Sequence, residues 1–74
     1  MDVLLFGMVA EKAGAISIDV EAGSLVELRR KLELSIPGLE RLSYVIAVDR
    51  KVVLNDRALT GSEEIAVLPP FAGG

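Results

Sequence analysis

From Val3 to Ala10 the apolar residues run almost without interruption, with Gly7 among them. A run this short and this apolar predicts a strand buried on both faces rather than a helix. Glu11-Lys12-Ala13-Gly14 then reads as a turn, and Ala15 to Val20 alternates apolar and polar residues as a half-buried antiparallel strand does. The two segments together predict a hairpin.

Gly23 and Ser24 open a helix. Ser24 and Glu27 form the S-x-x-E capping box, in which each side chain can satisfy an exposed backbone N–H of the first turn. Leu25, Leu28 and Leu32 follow at helical spacing and give one buried stripe. Arg29-Arg30-Lys31 lies towards the far end of this helix, where the helix dipole favours positive charge, and its consecutive residues point to different sides as on a solvated face. Pro37 disfavours helical geometry at Ile36, so the helix ends near Ser35. A third strand is expected over Tyr44–Val48, a tight turn at Asp49-Arg50 and a fourth strand over Lys51–Leu54. A loop marked by Asn55-Asp56-Arg57 and Thr60-Gly61-Ser62 leads to a last strand, Glu64–Leu68, stopped by Pro69-Pro70. The order is β-β-α-β-β-β.

One helix covers only one face of a sheet. If Val3, Leu5, Ile65 and Val67 face the helix, alternation turns Leu4, Phe6, Ala66 and Leu68 the other way, so the uncovered face is apolar too. A patch built from Phe6, Leu68 and Val52 is larger than a soluble monomer usually exposes and marks a protein partner, unless loops or sheet curl bury it.

Composition sharpens this picture. The 74 residues fill one small domain, and 51% are hydrophobic by a count that leaves out Gly, too many for a disordered chain. His and Cys are absent, which removes the commonest general base, the thiol nucleophile, disulfides and thiolate metal sites. The net charge of −3 has the wrong sign for neutralising phosphates, so nucleic acid and anionic membranes are not expected partners. No apolar run reaches the ~18 residues of a membrane span and the first residues lack a basic leader, which predicts a cytoplasmic protein. Glu63-Glu64 alternates faces at a strand entrance and cannot converge on one substrate atom. Lys12 and Lys51 sit in turns without an apolar pocket, and no glycine-rich phosphate loop is present. No side chain is expected to be catalytic.

The remaining candidate is the α-carboxyl of Gly74. Pro69 and Pro70 deny the ladder their N–H groups and stiffen the exit from the last strand, and Phe71-Ala72-Gly73-Gly74 follows. Four extended residues reach roughly 13 Å at about 3.3 Å each, and Gly73-Gly74 fits a narrow channel in a partner enzyme. An ionised carboxylate is a poor electrophile, so it needs activation, for example as a mixed anhydride with AMP. A frayed end or a cloning remnant is the plain alternative.

The stretch Phe6-Gly7-Met8-Val9-Ala10-Glu11-Lys12-Ala13-Gly14 is similar to the F-x(4)-E-x(2)-G opening of the MoaD-type sulfur carriers, the small subunits of molybdopterin synthase. The ending Glu64-Ile65-Ala66-Val67-Leu68-Pro69-Pro70-Phe71-Ala72-Gly73-Gly74 is similar to that family's E-[VI]-A-x-x-P-P-x-x-G-G close. The turn before the last strand departs from the family's D-G-D-E, reading Thr60-Gly61-Ser62-Glu63-Glu64, and the opening loop is less basic. The resemblance implies an α+β fold, the ubiquitin-like β-grasp, with a mixed sheet and one main helix on one face. Residues 1–70 form the domain and 71–74 a flexible tail.

It further implies a non-catalytic, sulfur-donating subunit of a sulfurtransferase complex that binds no cofactor or metal. An E1-like adenylyltransferase uses ATP to adenylate Gly74, the carboxyl becomes a thiocarboxylate, and the large subunit of molybdopterin synthase takes its sulfur for the cyclic pyranopterin precursor. Phe6, Val52, Leu68, Pro69, Pro70, Phe71, Ala72 and Gly73 are the implied partner contacts. Carriers for thiamine or tRNA thiolation, which usually lack the Pro-Pro pair, ubiquitin-like protein modifiers, and a plain binding module with an incidental tail are the alternatives.

Overall fold

In the computed structural model, which describes residues 1–70, the opening apolar run divides into two elements. Strand β1 (Asp2–Leu5) stops after four residues, and helix α1 (Gly7–Ala13) follows it. The uninterrupted strand from Val3 to Ala10 and the turn over Glu11–Gly14 are therefore both corrected. The cause is a change of period. After Phe6 the buried position is Val9, with Ala10 and Ala13 packed beside it against the core, while Met8, Glu11 and Lys12 face water. Gly14 then ends the helix as a left-handed cap (φ 70°), its N–H donating to the Ala10 carbonyl at 2.9 Å.

Strand β2 (Ser17–Asp19) still pairs antiparallel with β1, Leu4 opposite Ser17, but through a helical connection rather than a hairpin turn. Helix α2 (Leu25–Ser35) follows, then a 3₁₀ turn (Leu39–Arg41), β3 (Val45–Val48), β4 (Lys51–Val53) and β5 (Ile65–Leu68). The two-residue turn between β3 and β4 places Asp49 and Arg50 at positive φ, 50° and 70°, as a hairpin of this length requires. The sheet order is β2-β1-β5-β3-β4, with β1 and β5 parallel and every other neighbouring pair antiparallel. This mixed sheet with its main helix on one face is the β-grasp architecture.

The N-terminus of α2 is fully tied. Ser24 Oγ accepts from the Glu27 N–H at 3.2 Å, Asp56 Oδ1 from the Val26 N–H at 3.0 Å, and the Arg57 carbonyl from the Leu25 N–H at 3.0 Å. Half of the expected capping box is shifted by one position, since the Glu27 carboxylate accepts from Gly23 (2.6 Å) instead of Ser24. The loop after β4 thus has a structural role that its sequence did not announce. Leu25, Leu28 and Leu32 of α2 pack against Val3, Leu5, Ile46, Val48, Ile65 and Val67 in one buried cluster, closed at its end by Val9, Ile36 and Leu39. Each such fully buried side chain contributes roughly 1.5–3 kcal/mol.

Candidate functional site

The face of the sheet turned away from α2 is built by the same strands. Alternation and register place Ser17, Leu4, Ala66, Ala47 and Val52 side by side across all five strands. The next row, one step nearer the tail, has Leu68 opposite Val45, with Phe6 beside Leu68 through its N–H to the Val67 carbonyl (3.1 Å). Phe6 is 44% exposed, Val52 45% and Leu4 38%, whereas their strand neighbours Leu5 and Val3 are buried. Leu68 and Ala66 are half-buried and Ala47, flanked on both sides, is buried. Of the residues singled out in the sequence, Phe6, Val52 and Leu68 do share one face; Phe71, Ala72, Gly73 and Gly74 lie outside the described residues.

The exit of the tail is shaped by α1. Pro69 follows β5 and packs over Gly7, where an added Cβ would stand 3.1 Å from Pro69 Cγ. Gly7 also has φ +57°, a left-handed geometry that an L side chain adopts only with strain. Glycine at this position therefore meets two demands at once. Pro69 and Pro70 are exposed, and a proline at 69 offers no N–H to either neighbouring strand, so the ladder closes at Leu68.

Beside Val45, Tyr44 donates its O–H to Glu33 Oε2 at 2.6 Å, and the Arg29 guanidinium lies 4.9 Å from the ring centroid. Arg29 is thus not a purely solvated charge. Burial, with the Glu33 hydrogen bond adding to it, pushes the Tyr44 hydroxyl up to about 12, so Tyr44 is a neutral donor and no base. Glu63, which the sequence only excludes from converging with Glu64 on a substrate atom, closes the turn before β5. It accepts from the Thr60 N–H (3.0 and 2.8 Å) and the Gly61 N–H (3.0 Å), and the Thr60 bond holds its carboxyl below the usual range. Glu63 gave no signal in the sequence beyond a polar residue after Thr60-Gly61-Ser62.

Among the described residues no three His, Cys, Asp or Glu side chains come together as a metal site, and no helix is long and apolar enough to cross a membrane. A shallow depression lined by Leu25, Arg29, Val53, Leu54 and Asp56 lies between α2 and the end of β4. The features that stand out are an exposed apolar sheet face and the Pro69-Pro70 exit at the end of its central strand.

Residues 3–74 match the pattern of the ThiS family. The chain belongs to the ThiS family. Carriers of this family are small, non-catalytic proteins that bind no cofactor. Among solved structures, this chain is similar to a chain in the complex of subunits 1 and 2 of molybdopterin-converting factor from Helicobacter pylori 26695. Identity is 28% and the TM-score 0.74, covering 99% of this chain and 96% of that one. Small archaeal modifier protein 1 from Methanosarcina acetivorans is similar at 22% identity and TM-score 0.83, over 99% of this chain and 94% of that one. A chain of the Amycolatopsis orientalis BexX/CysO complex is similar at 17% identity and TM-score 0.78, over 99% and 98%. The last two support the fold alone. No curated protein is similar enough to the sequence to count as a relative.

Proposed function

We propose that this ThiS-family chain is the sulfur-donating small subunit of a molybdopterin synthase, with the carboxyl of Gly74 as its reacting group. The observation that carries the reading is the 28% identity, over almost the whole of both chains, to a subunit of a molybdopterin-converting factor complex. The Pro69-Pro70 pair ahead of Phe71-Ala72-Gly73-Gly74 and the exposed apolar face beside it support the same reading. In this scheme residues 1–70 are the docking domain and 71–74 the arm that reaches into partner active sites.

The chemistry follows from the lack of an activated side chain. A Gly74 carboxylate oxygen attacks the α-phosphorus of ATP inside an E1-like adenylyltransferase and pyrophosphate leaves. Sulfide-equivalent sulfur then adds to the acyl carbon and AMP leaves, giving a thiocarboxylate. In the large synthase subunit that sulfur attacks an electrophilic carbon of the cyclic pyranopterin precursor and displaces an oxygen substituent, which leaves with the C–O electron pair. Water then cleaves the acyl–sulfur bond of the resulting thioester, its oxygen restoring the carboxylate; the sulfur stays on the precursor carbon, and the chain is released. Phe6, Val52, Leu68, Pro69 and Pro70 contact these partners, followed along the tail by Phe71, Ala72 and Gly73.

The test is reconstitution. Thiocarboxylated chain, large subunit and cyclic pyranopterin precursor are mixed, and molybdopterin is measured. One molybdopterin for every two thiocarboxylated chains, with loss of the sulfur from Gly74, supports the proposal. Sulfur delivered instead to thiazole or tRNA acceptors by their own synthases, or an isopeptide bond from Gly74 to a target Lys with no molybdopterin formed, overturns it in favour of another carrier or a modifier.

A further inference from the structure

Gly7 is the point at which the outer sheet face meets the exit of the tail, and it is held from both sides. Phe6 before it is extended (φ −129°, ψ 152°) and donates its N–H to the Val67 carbonyl at 3.1 Å, so the chain is tied to β5 up to that residue. After it, the Val9 and Ala10 N–H groups donate back to the Phe6 carbonyl at 3.2 and 3.4 Å, and the buried Val9 pins α1 to the core. The reversal between strand and helix therefore falls on Gly7, at φ +57°. Pro69 stands against this reversal under looser constraints. Ladder pairing ends at Val67 on the β1 side and at Leu68 on the β3 side. Pro69 is exposed, and among the described residues no turn or loop hydrogen bond reaches it. A Cβ on residue 7 would stand 3.1 Å from Pro69 Cγ and 3.5 Å from Cδ, the first of these closer than an ordinary contact. Of the two sides, the proline is the one able to give.

We infer that Gly7 is a positioning residue for the reaction at Gly74: its lack of a side chain seats the Pro69 ring against the start of α1 and so sets the direction in which the tail leaves the sheet. The inference rests on the carrier reading above and adds to it a residue that touches no reacting atom. Pro70 follows at once, which keeps residue 69 extended and carries the direction set at its ring one residue further. Gly74 is five residues beyond Pro69, up to about 17 Å of extended chain, so a small tilt at the ring grows along the tail. A partner that holds the sheet face fixes one end of this lever, and the channel that takes Gly73-Gly74 fixes the other. Misplacing a reacting group by about 1 Å costs up to about 100-fold in rate, whereas the contacts that hold the domain on its partner are unchanged. A side chain at residue 7 thus acts on kcat and leaves KM in place.

The experiment is ATP–pyrophosphate exchange catalysed by an E1-like adenylyltransferase of the sulfur-carrier type, with the chain as the varied substrate. Gly7→Ala and Gly7→Asn are compared with Gly7, each in the Pro69 and in the Pro69→Ala chain, at a temperature where thermal melting shows all of them folded. Asn tolerates a left-handed backbone better than Ala does, so it places a Cβ against the ring at the smaller cost in stability. Gly14→Ala, also at positive φ (70°) but with nothing within 4 Å of the added Cβ, reports what backbone strain alone does. Both residue-7 variants should lower kcat about 10-fold with KM within about 2-fold of wild type. In the Pro69→Ala chain the same substitutions should change kcat by less than about 2-fold, and Gly14→Ala should keep the wild-type kcat. A folded Gly7→Asn chain with the wild-type kcat, an equal loss with and without the Pro69 ring, or an equal loss in Gly14→Ala overturns the inference and spares the carrier reading. A wild-type chain that supports no exchange overturns both.

Discussion

The two faces of the sheet are made from alternate residues of the same strands, yet they serve different ends. On the α2 side Val3, Ile46, Ile65 and Val67 are fully buried against Leu28 and Leu32. On the other side Leu4, Phe6 and Val52 stay 38–45% exposed although nothing in their chemistry sets them apart from the first group. Hydrophobicity alone therefore does not say what a position is for. What differs is the supply of cover: one amphipathic helix seals one face, and among the described residues nothing seals the second.

The sharpest way to break this comparison is to cut one residue from each face. Leu28→Ala should cost about 2–5 kcal/mol in urea unfolding, which in a domain this small is most of its stability. Phe6→Asp and Leu68→Asp should change stability by no more than about 1 kcal/mol while lowering the rate of activation by an E1-like enzyme at least about 10-fold. If Phe6→Asp unfolds the domain as Leu28→Ala does, the outer face belongs to the core and the distinction fails.

Gly7 lies where the outer face meets the tail exit. Gly7→Ala should destabilise by about 1–2 kcal/mol through its positive φ, and Pro69→Ala in the same chain should recover the part due to the 3.1 Å approach. A melting temperature equal to wild type for Gly7→Ala would show that neither demand is real. Asp56→Ala removes one tie of the α2 N-terminus and should cost about 1 kcal/mol, with activation unaffected because the lost bond belongs to α2, which packs on the other face of the sheet. The smallest effect concerns Glu63. Its carboxyl lies below the ordinary value of 4.5 when folded, so its contribution is complete above that value and disappears as pH falls through the lower folded value. Glu63→Gln should flatten the acid limb of the stability curve below pH 4.5; an unchanged limb would show that the turn does not depend on the charge.

Much of the comparison was legible in the sequence because a strand's period of two is a local signal. Ile65-Ala66-Val67-Leu68 and Val45–Val48 could be sorted into inner and outer positions residue by residue. Helix α2 was marked at both ends by Ser24 and Pro37. The opening run misled because Val9, Ala10 and Ala13 make only one short apolar arc, which a continuous stretch of small and apolar residues hides. Gly14 after Lys12 was the available helix-stop signal, and it reads equally well as a turn. Asp56 at α2 and Glu63 on Thr60 depend on where loops fold back, and no local spacing encodes that.

The central claim is that a partner reads the outer face and acts on Gly74. Intact mass after incubation with an E1-like adenylyltransferase, ATP and sulfide tests it most directly, on wild type and Phe6→Asp side by side. The account predicts that wild type gains sulfur in place of one oxygen at Gly74, while Phe6→Asp, equally folded, stays at its original mass over the same time. Equal conversion of both chains, or of neither, would contradict it.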